Sequence, residues 1–228
     1  MADTQATPMG SKPAPAGLAA TGGSAHPNAA LVRSAARSPF AGHTDGERPN
    51  RAGETGVRIT AGMLPGVVLI STWISGIDGL LSALASSLGS VPQRTGHTTN
   101  TPLGLLARTG PEEFLLLSTE PGNPTAQLRQ AIAADIGAVT DLSHARCRIH
   151  IEGPRCQTVL NKLFALDLRA DAFPVGEVRL TGTHHVPCVL HRLGADSLDM
   201  LVFSTYAYDQ LHTLVDAALE YGVGVTLE

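Results

Sequence analysis

The residues able to do chemistry in this chain are few, and the densest group is His184, His185, Cys188 and His191. Imidazole and thiolate are zinc ligands, so this group invites a metal reading. On a strand, however, His185 and His191 share one face while Cys188 points to the other. Pro187 also breaks regular pairing. The competing reading is a loop of polar histidines that enters a strand whose Cys188 is core. Asp141, Ser143 and His144 supply the three residue types of a hydrolytic triad. A triad is assembled in space, though, and neighbours on one strand cannot reach that geometry. No nucleophile elbow of the GxSxG type is present, and Asp141-Leu142-Ser143 reads better as a strand end and turn. Cys147 and Cys156 fall on apolar faces, where thiols are inert.

The remaining candidates are weaker. Glu112 and Glu113 sit in an expected hairpin turn, and Asp167, Asp171 and Glu177 in loops. Arg146, Arg148, Arg155 and Arg169 have few aromatic neighbours for stacking on bases. They suit a solvated face or an acidic protein partner. There is no GxGxxG after a strand and no GxxxxGK[ST], so no self-contained nucleotide cradle is expected. The residues alone assign no catalytic, cofactor-binding or metal-binding position.

Composition narrows the class further. The 228 residues are 43% hydrophobic and 16% charged, with a net charge of -4. The usual charged fraction is about 25%, and a nucleic-acid binder usually shows a basic face. Neither nucleic acid nor membrane is expected as a partner, since no run of about 18 apolar residues could span a bilayer. Three cysteines without a CxxC exclude a disulfide framework and suit a reducing cytoplasm. The low charge also points to surface buried against partner chains.

Two segments must position these groups. Residues 1–56 hold 13 Ala, 8 Gly and 6 of the 15 Pro. Only Leu18, Leu31, Val32 and Phe40 are large aliphatic or aromatic residues there. Burying them would yield roughly 1.5–3 kcal/mol each, against a backbone ordering cost of roughly 1–2 kcal/mol per residue. A tail that is disordered or draped on another body is expected for 1–56. From Val57 on, strands and helices alternate. Strand patterns cover 66–74, 103–108, 113–119, 138–142, 147–152, 178–182, 186–191, 199–204 and 223–227. Helical faces run over 78–88 and 125–136. A helix opens at Pro154 and carries Cys156, Val159, Leu160, Leu163 and Phe164, and a last one carries Leu211, Leu214, Val215, Ala218 and Leu219. Residues 89–102 read as a loop.

The pattern repeats. Phe114-Leu115-Leu116-Leu117-Ser118-Thr119 matches Met200-Leu201-Val202-Phe203-Ser204-Thr205 at an offset of 86, which also carries Leu128 to Leu214 and Val139 to Val225. An offset of 79 carries Ile70 to Ile149, Leu81 to Leu160 and Leu84 to Leu163. The expected fold is α+β, with two ferredoxin-like β-α-β-β-α-β halves, about 57–143 and 144–228, from an internal duplication.

A set of segments, in order from Ser38 to Val225, resembles the γ subunits of heterotetrameric sarcosine oxidase. It comprises Ser38-Pro39-Phe40-Ala41-Gly42, Gly110-Pro111-Glu112-Glu113-Phe114-Leu115, Val139 to His144, and Ile149 to Arg155. It continues with Phe164-Ala165-Leu166-Asp167-Leu168, Ala172 to Gly176, His185-Val186-Pro187 and Leu190-His191-Arg192. The chain departs from that pattern in Phe114, where the family's hairpin has Trp, and in Thr109.

The resemblance implies a fold related to the N-terminal folate-binding domain of glycine-cleavage aminomethyltransferases (T-protein). It implies a structural γ subunit without activity of its own, inside an oxidoreductase that converts sarcosine to glycine and hydrogen peroxide. The methyl carbon leaves as formaldehyde or 5,10-methylenetetrahydrofolate. The implied partners are the α, β and δ subunits, chiefly α. FAD, FMN, NAD, zinc and tetrahydrofolate would be held in those subunits and none in this chain. Two alternatives stay open: a subunit of a sister complex such as N-methylglutamate dehydrogenase, and a stand-alone folate-binding aminomethyltransferase-like protein.

Overall fold

The structure, a computed structural model, describes residues 38–73 and 76–228. The tail expected over 1–56 therefore lies outside the described residues up to 37, as does Ile74 at the end of the first strand pattern. Residues 38–56 belong to the folded body rather than to a tail. Phe40 is only 1% exposed and sits among Val57, Ile59, Leu211 and Val215. β1 (Gly46–Arg48) pairs antiparallel with the last strand. Composition misses this because one aromatic ring and a few backbone hydrogen bonds anchor a stretch that could not fold alone.

Two sheets organise the described residues. β2 (Val57–Gly62) is followed by β3 (Gly66–Thr72), helix α1 (Ile77–Leu88), β4 (Thr98–Thr101), β5 (Gly104–Gly110), β6 (Glu113–Ser118), helix α2 (Pro124–Ala131) and β7 (Gly137–Asp141). Then come β8 (Arg146–Glu152), helix α3 (Cys156–Leu160), β9 (Val178–Thr183), β10 (Val186–Gly194), β11 (Ser197–Phe203), helix α4 (Ala207–Ala218) and β12 (Val223–Leu227). The five-stranded sheet has the order β4-β5-β6-β3-β7, and the seven-stranded sheet β1-β12-β2-β8-β11-β10-β9.

Side-chain alternation explains the layering. The apolar run Val67-Val68-Leu69-Ile70 in β3 is apolar on both faces because both are covered. Val68 and Ile70 meet Leu80, Leu84 and Leu128 from α1 and α2. Val67 looks the other way, onto Leu115, Leu117, Val189 and Leu201, in a core shared by the two sheets. The outer face of the seven-stranded sheet packs Ile149, Ile151, Met200 and Val202 against Leu211 and Leu214 of α4. The layers therefore run helix, sheet, sheet, helix, in an α+β architecture.

Several boundaries differ from the sequence pattern. The helix expected over 125–136 stops at Ala131, because Ile132 turns extended (φ -109, ψ 110) and inserts into the core. Its start is well set, since Asn123 Oδ1 accepts from the Ala126 N–H at 3.0 Å and Pro124 follows. The helix expected from Pro154 begins two residues later, after a turn in which Gly153 has φ 123. Within the supposed loop 89–102, the polar Thr98–Thr101 forms an edge strand against β5.

Gly222 ties residues 50–56 to the body. It has φ 79, and a Cβ there would meet the Glu54 carbonyl oxygen at 2.0 Å. Gly222→Ala is expected to cost about 1–3 kcal/mol, from left-handed strain plus displacement of that carbonyl. The control Gly53→Ala, also at positive φ but with open space around its Cβ, should cost about 1 kcal/mol. Urea denaturation of the two variants checks the difference.

Candidate functional site

One row of side chains crosses the inner face of the seven-stranded sheet. Strand register places Thr60 beside His150, His150 beside Asp199, and Asp199 beside His191. Where the sheets are closest, this face is apolar, with Leu201 and Val189. Where they separate, it carries the row. There it lines a cleft of about 770 Å³ whose other wall holds Thr98, Asn100, Thr101, Leu105 and Leu117. That size is in the range of small-ligand pockets.

The electrostatics of the row are asymmetric. His150 Nδ1 lies 2.7 Å from Asp199 Oδ1, and Nε2 lies 3.6 Å from Glu152. The hydrogen bond to the Asp199 carboxylate raises the His150 pKa above its ordinary value of 6.5, against the effect of burial. His191, 4% exposed, is shifted the other way, because burial disfavours its charged form. Its Nδ1 is buried without a hydrogen-bond partner. One carboxylate thus stands between an imidazole whose pKa is raised and one whose pKa is lowered. Arg148, two residues from His150 on the same face, pairs with Glu228 at 3.2 Å.

The residues considered from sequence fall elsewhere. His184 and His185 form an exposed turn, both at positive φ (48° and 66°). Cys188 packs into the helix-side core, while His191 faces the cleft. The four are therefore split, and among the described residues no His, Cys, Asp and Glu group is placed to hold a metal. The Ser143 hydroxyl donates to Asp141 Oδ1 at 2.6 Å and accepts the Val67 N–H at 3.1 Å, which closes a turn. His144 is exposed, and its backbone carbonyl accepts from Ser204.

All three cysteines are unpaired and buried. Burial raises the Cys147 pKa and pushes Cys156 and Cys188 to about 12, which leaves them poor nucleophiles. The arginines do not form one face. Arg146 stacks on Phe203 at 3.6 Å, Arg155 lies over Tyr221, and Arg169 pairs with Asp167. The Asp167 carboxyl falls to about 2 through the Arg169 hydrogen bonds. Glu113 accepts from Thr109 at 2.7 Å, and Glu177 pairs with Arg179. Among the described residues no helix is long and apolar enough to cross a membrane.

Sequence reasoning misses Asp199. Its only signal is a carboxylate in the otherwise apolar run Leu198 to Phe203.

No family model matches the chain. Individual relatives do. A sarcosine oxidase subunit gamma from Corynebacterium sp. (strain P-1) is 32% identical over 146 residues, covering 63% of this chain and 72% of the relative. One from an Arthrobacter species is 32% identical over 142 residues, 61% of this chain and 70% of the relative. Among solved structures, a chain of the heterotetrameric sarcosine oxidase of Corynebacterium sp. U-96, in complex with pyrrole 2-carboxylate, aligns with TM-score 0.67 at 28% identity. That alignment covers 82% of this chain and 96% of that one. The glycine cleavage system aminomethyltransferase T of Bartonella henselae shares the fold, with TM-score 0.56 at 14% identity over 76% of this chain and 48% of its own. With nearly a third of aligned residues identical across more than two thirds of its curated relatives, the chain belongs to the sarcosine oxidase γ-subunit family.

Proposed function

We propose that the chain is the non-catalytic structural γ subunit of a sarcosine-oxidase-type flavoenzyme and packs chiefly on the α subunit. The observation that carries this reading is the near-complete alignment with a chain from a solved heterotetrameric oxidase. Local chemistry supports the non-catalytic part, since the thiols are buried and the Ser143 hydroxyl is spent on a turn. The assembly would oxidise sarcosine to glycine and hydrogen peroxide, with the methyl carbon leaving as formaldehyde or methylenetetrahydrofolate. FAD, FMN, NAD, zinc and tetrahydrofolate would sit in the α, β and δ subunits. Free, buried cysteines accord with a cytoplasmic setting.

The fold itself reads as two ferredoxin-like halves from a duplication. In one half the strands run β5-β6-β3-β7, and in the other β10-β11-β8-β12 with β2 inserted between β8 and β12. Residues equated by sequence offset occupy matching faces: Ile70 and Ile149, and Phe114 and Met200, lie on the helix-side faces of their sheets, and Leu128 and Leu214 are the buried helix residues that share those cores.

Co-expression with the proteins encoded beside it tests the reading. The expected result is one co-eluting complex that makes hydrogen peroxide from sarcosine. A chain that elutes as a free monomer beside its neighbours overturns it. Turnover of N-methylglutamate instead of sarcosine moves it to the sister complex. Tight binding of tetrahydrofolate by the isolated chain favours the stand-alone alternative.

A further inference from the structure

The sulfur atoms of the described residues differ sharply in access. Met200 and the three cysteines are buried, whereas Met63 is partly exposed at the border of the helix-side core. Its Sδ lies 3.3 Å from the Sγ of Cys147. An oxidant therefore meets two kinds of sulfur. A thiol reacts as its thiolate, and burial raises the Cys147 pKa and holds Cys156 and Cys188 at about 12. A thioether has no proton to lose, so its lone pair is available at any pH and access alone limits its oxidation. Of these sulfurs, the one that needs no ionisation is also the one that solvent reaches.

The position of Met63 gives its oxidation a consequence. The chain crosses from the seven-stranded to the five-stranded sheet at 63–65, between β2 and β3, and returns at 142–145, between β7 and β8. The two crossings lie side by side. The Leu142 N–H donates to the Val67 carbonyl at 2.7 Å, and Cys147, just past the second crossing, touches Met63 in the first. Ser204 closes the group. Its N–H donates to the Ala145 carbonyl and its hydroxyl to the His144 carbonyl, with Oγ 3.4 Å from Cys147 Sγ. Leu64, next in the chain, is buried in the core shared by the sheets. A sulfoxide oxygen on Sδ would place a strong acceptor against this apolar packing, where leaving it without a donor is costly.

We propose that Met63 is a peroxide-modification site: hydrogen peroxide oxidises its thioether to the sulfoxide before any other described sulfur, and the sulfoxide loosens the joint between the two sheets. In this step the Sδ lone pair attacks one peroxide oxygen, the O–O bond breaks and an S=O bond forms. The second oxygen leaves with both protons as water. Sulfur gives up two electrons and the peroxide takes them. The site stands on the geometry of this chain, while a supply of peroxide beside it rests on the γ-subunit reading.

The full chain is treated with reagent hydrogen peroxide, quenched with catalase and alkylated in denaturant, and its peptides are read by mass spectrometry. Met63 should be oxidised about tenfold faster than Met200 or more, with Cys147, Cys156 and Cys188 still free to be alkylated. The oxidised chain should melt about 2–4 °C lower, and methionine sulfoxide reductases should restore its midpoint. Met63→Leu, a volume-conserving swap, should melt alike before and after peroxide. Equal rates at Met63 and Met200, or earlier loss of any of these cysteines, overturn the site. A Met63 sulfoxide with an unchanged midpoint overturns the loosening. In the co-expressed complex, sarcosine turnover should oxidise Met63 and added catalase should prevent it. Turnover that releases peroxide yet leaves Met63 a thioether overturns the modification in the assembly. If the complex makes no peroxide from sarcosine, the subunit reading falls, and preferential oxidation of Met63 in the free chain still supports the site.

Discussion

Phe40→Ala is expected to destabilise the protein by about 3–5 kcal/mol, the range for deleting a fully buried aromatic ring. The ring is 1% exposed, in a stretch whose composition reads as a tail. It fills the helix-side core between β2 and α4, so its loss leaves a cavity that a rigid sheet and helix cannot collapse. The anchor also aligns the segment between it and β2. Asp45 Oδ1 accepts the Leu227 N–H at 2.8 Å, and Glu47 pairs with Arg58 at 2.7 Å. That second pair is exposed and contributes little. A chain begun at Val57 should therefore lose about as much stability as Phe40→Ala, relative to a chain begun at Ser38. Urea denaturation of the three proteins checks this. Equal midpoints would mean that the segment packs without stabilising.

The same residue shows what sequence can and cannot carry. Periodicity locates β3, α1, the β5–β6 hairpin, β8 and α4 well, because each buries a face against a large core and its pattern records that face. Phe40 is invisible to it because a single anchor has no period. Thr98–Thr101 is invisible for a related reason: an edge strand of polar residues is held by its partner β5 rather than by its own side chains. The alternation in β8 is legible, but in sequence its polar side looks like a solvated face. It is in fact the floor of a cleft, since a second sheet stands opposite. Strand register, which no local pattern encodes, brings His150, Asp199 and His191 together from three strands. The histidine cluster stands out through proximity in sequence, and the pleat separates it in space.

Asp199→Ala is expected to cost about 1.5–3 kcal/mol in mildly acidic solution and clearly less in alkaline solution, because it strips a half-buried imidazolium of its carboxylate. Asp199 is 8% exposed, and the side chain of His150 is 21% exposed, so solvent screens the pair only weakly. The His150 pKa is raised in the folded protein above the ordinary 6.5. Its stabilisation is therefore fully present below 6.5 and is lost as pH rises through the raised folded value. His191 acts with the opposite sign. Its folded pKa is depressed, so the unfolded chain takes up a proton that the native state refuses, and stability falls as pH drops below 6.5. Asp199 serves both rings, since its charge also eases protonation of His191. Removing it should reduce the acid-side benefit of His150 to what Glu152, 3.6 Å from Nε2, still supplies, and deepen the acid-side penalty of His191. Unfolding free energies of wild type, Asp199→Ala and Asp199→Asn, measured across the imidazole range, should diverge toward low pH. Asn should recover part of the loss at high pH, where a neutral hydrogen bond to His150 is sufficient. Parallel curves for all three would show that the row carries no proton-linked stability.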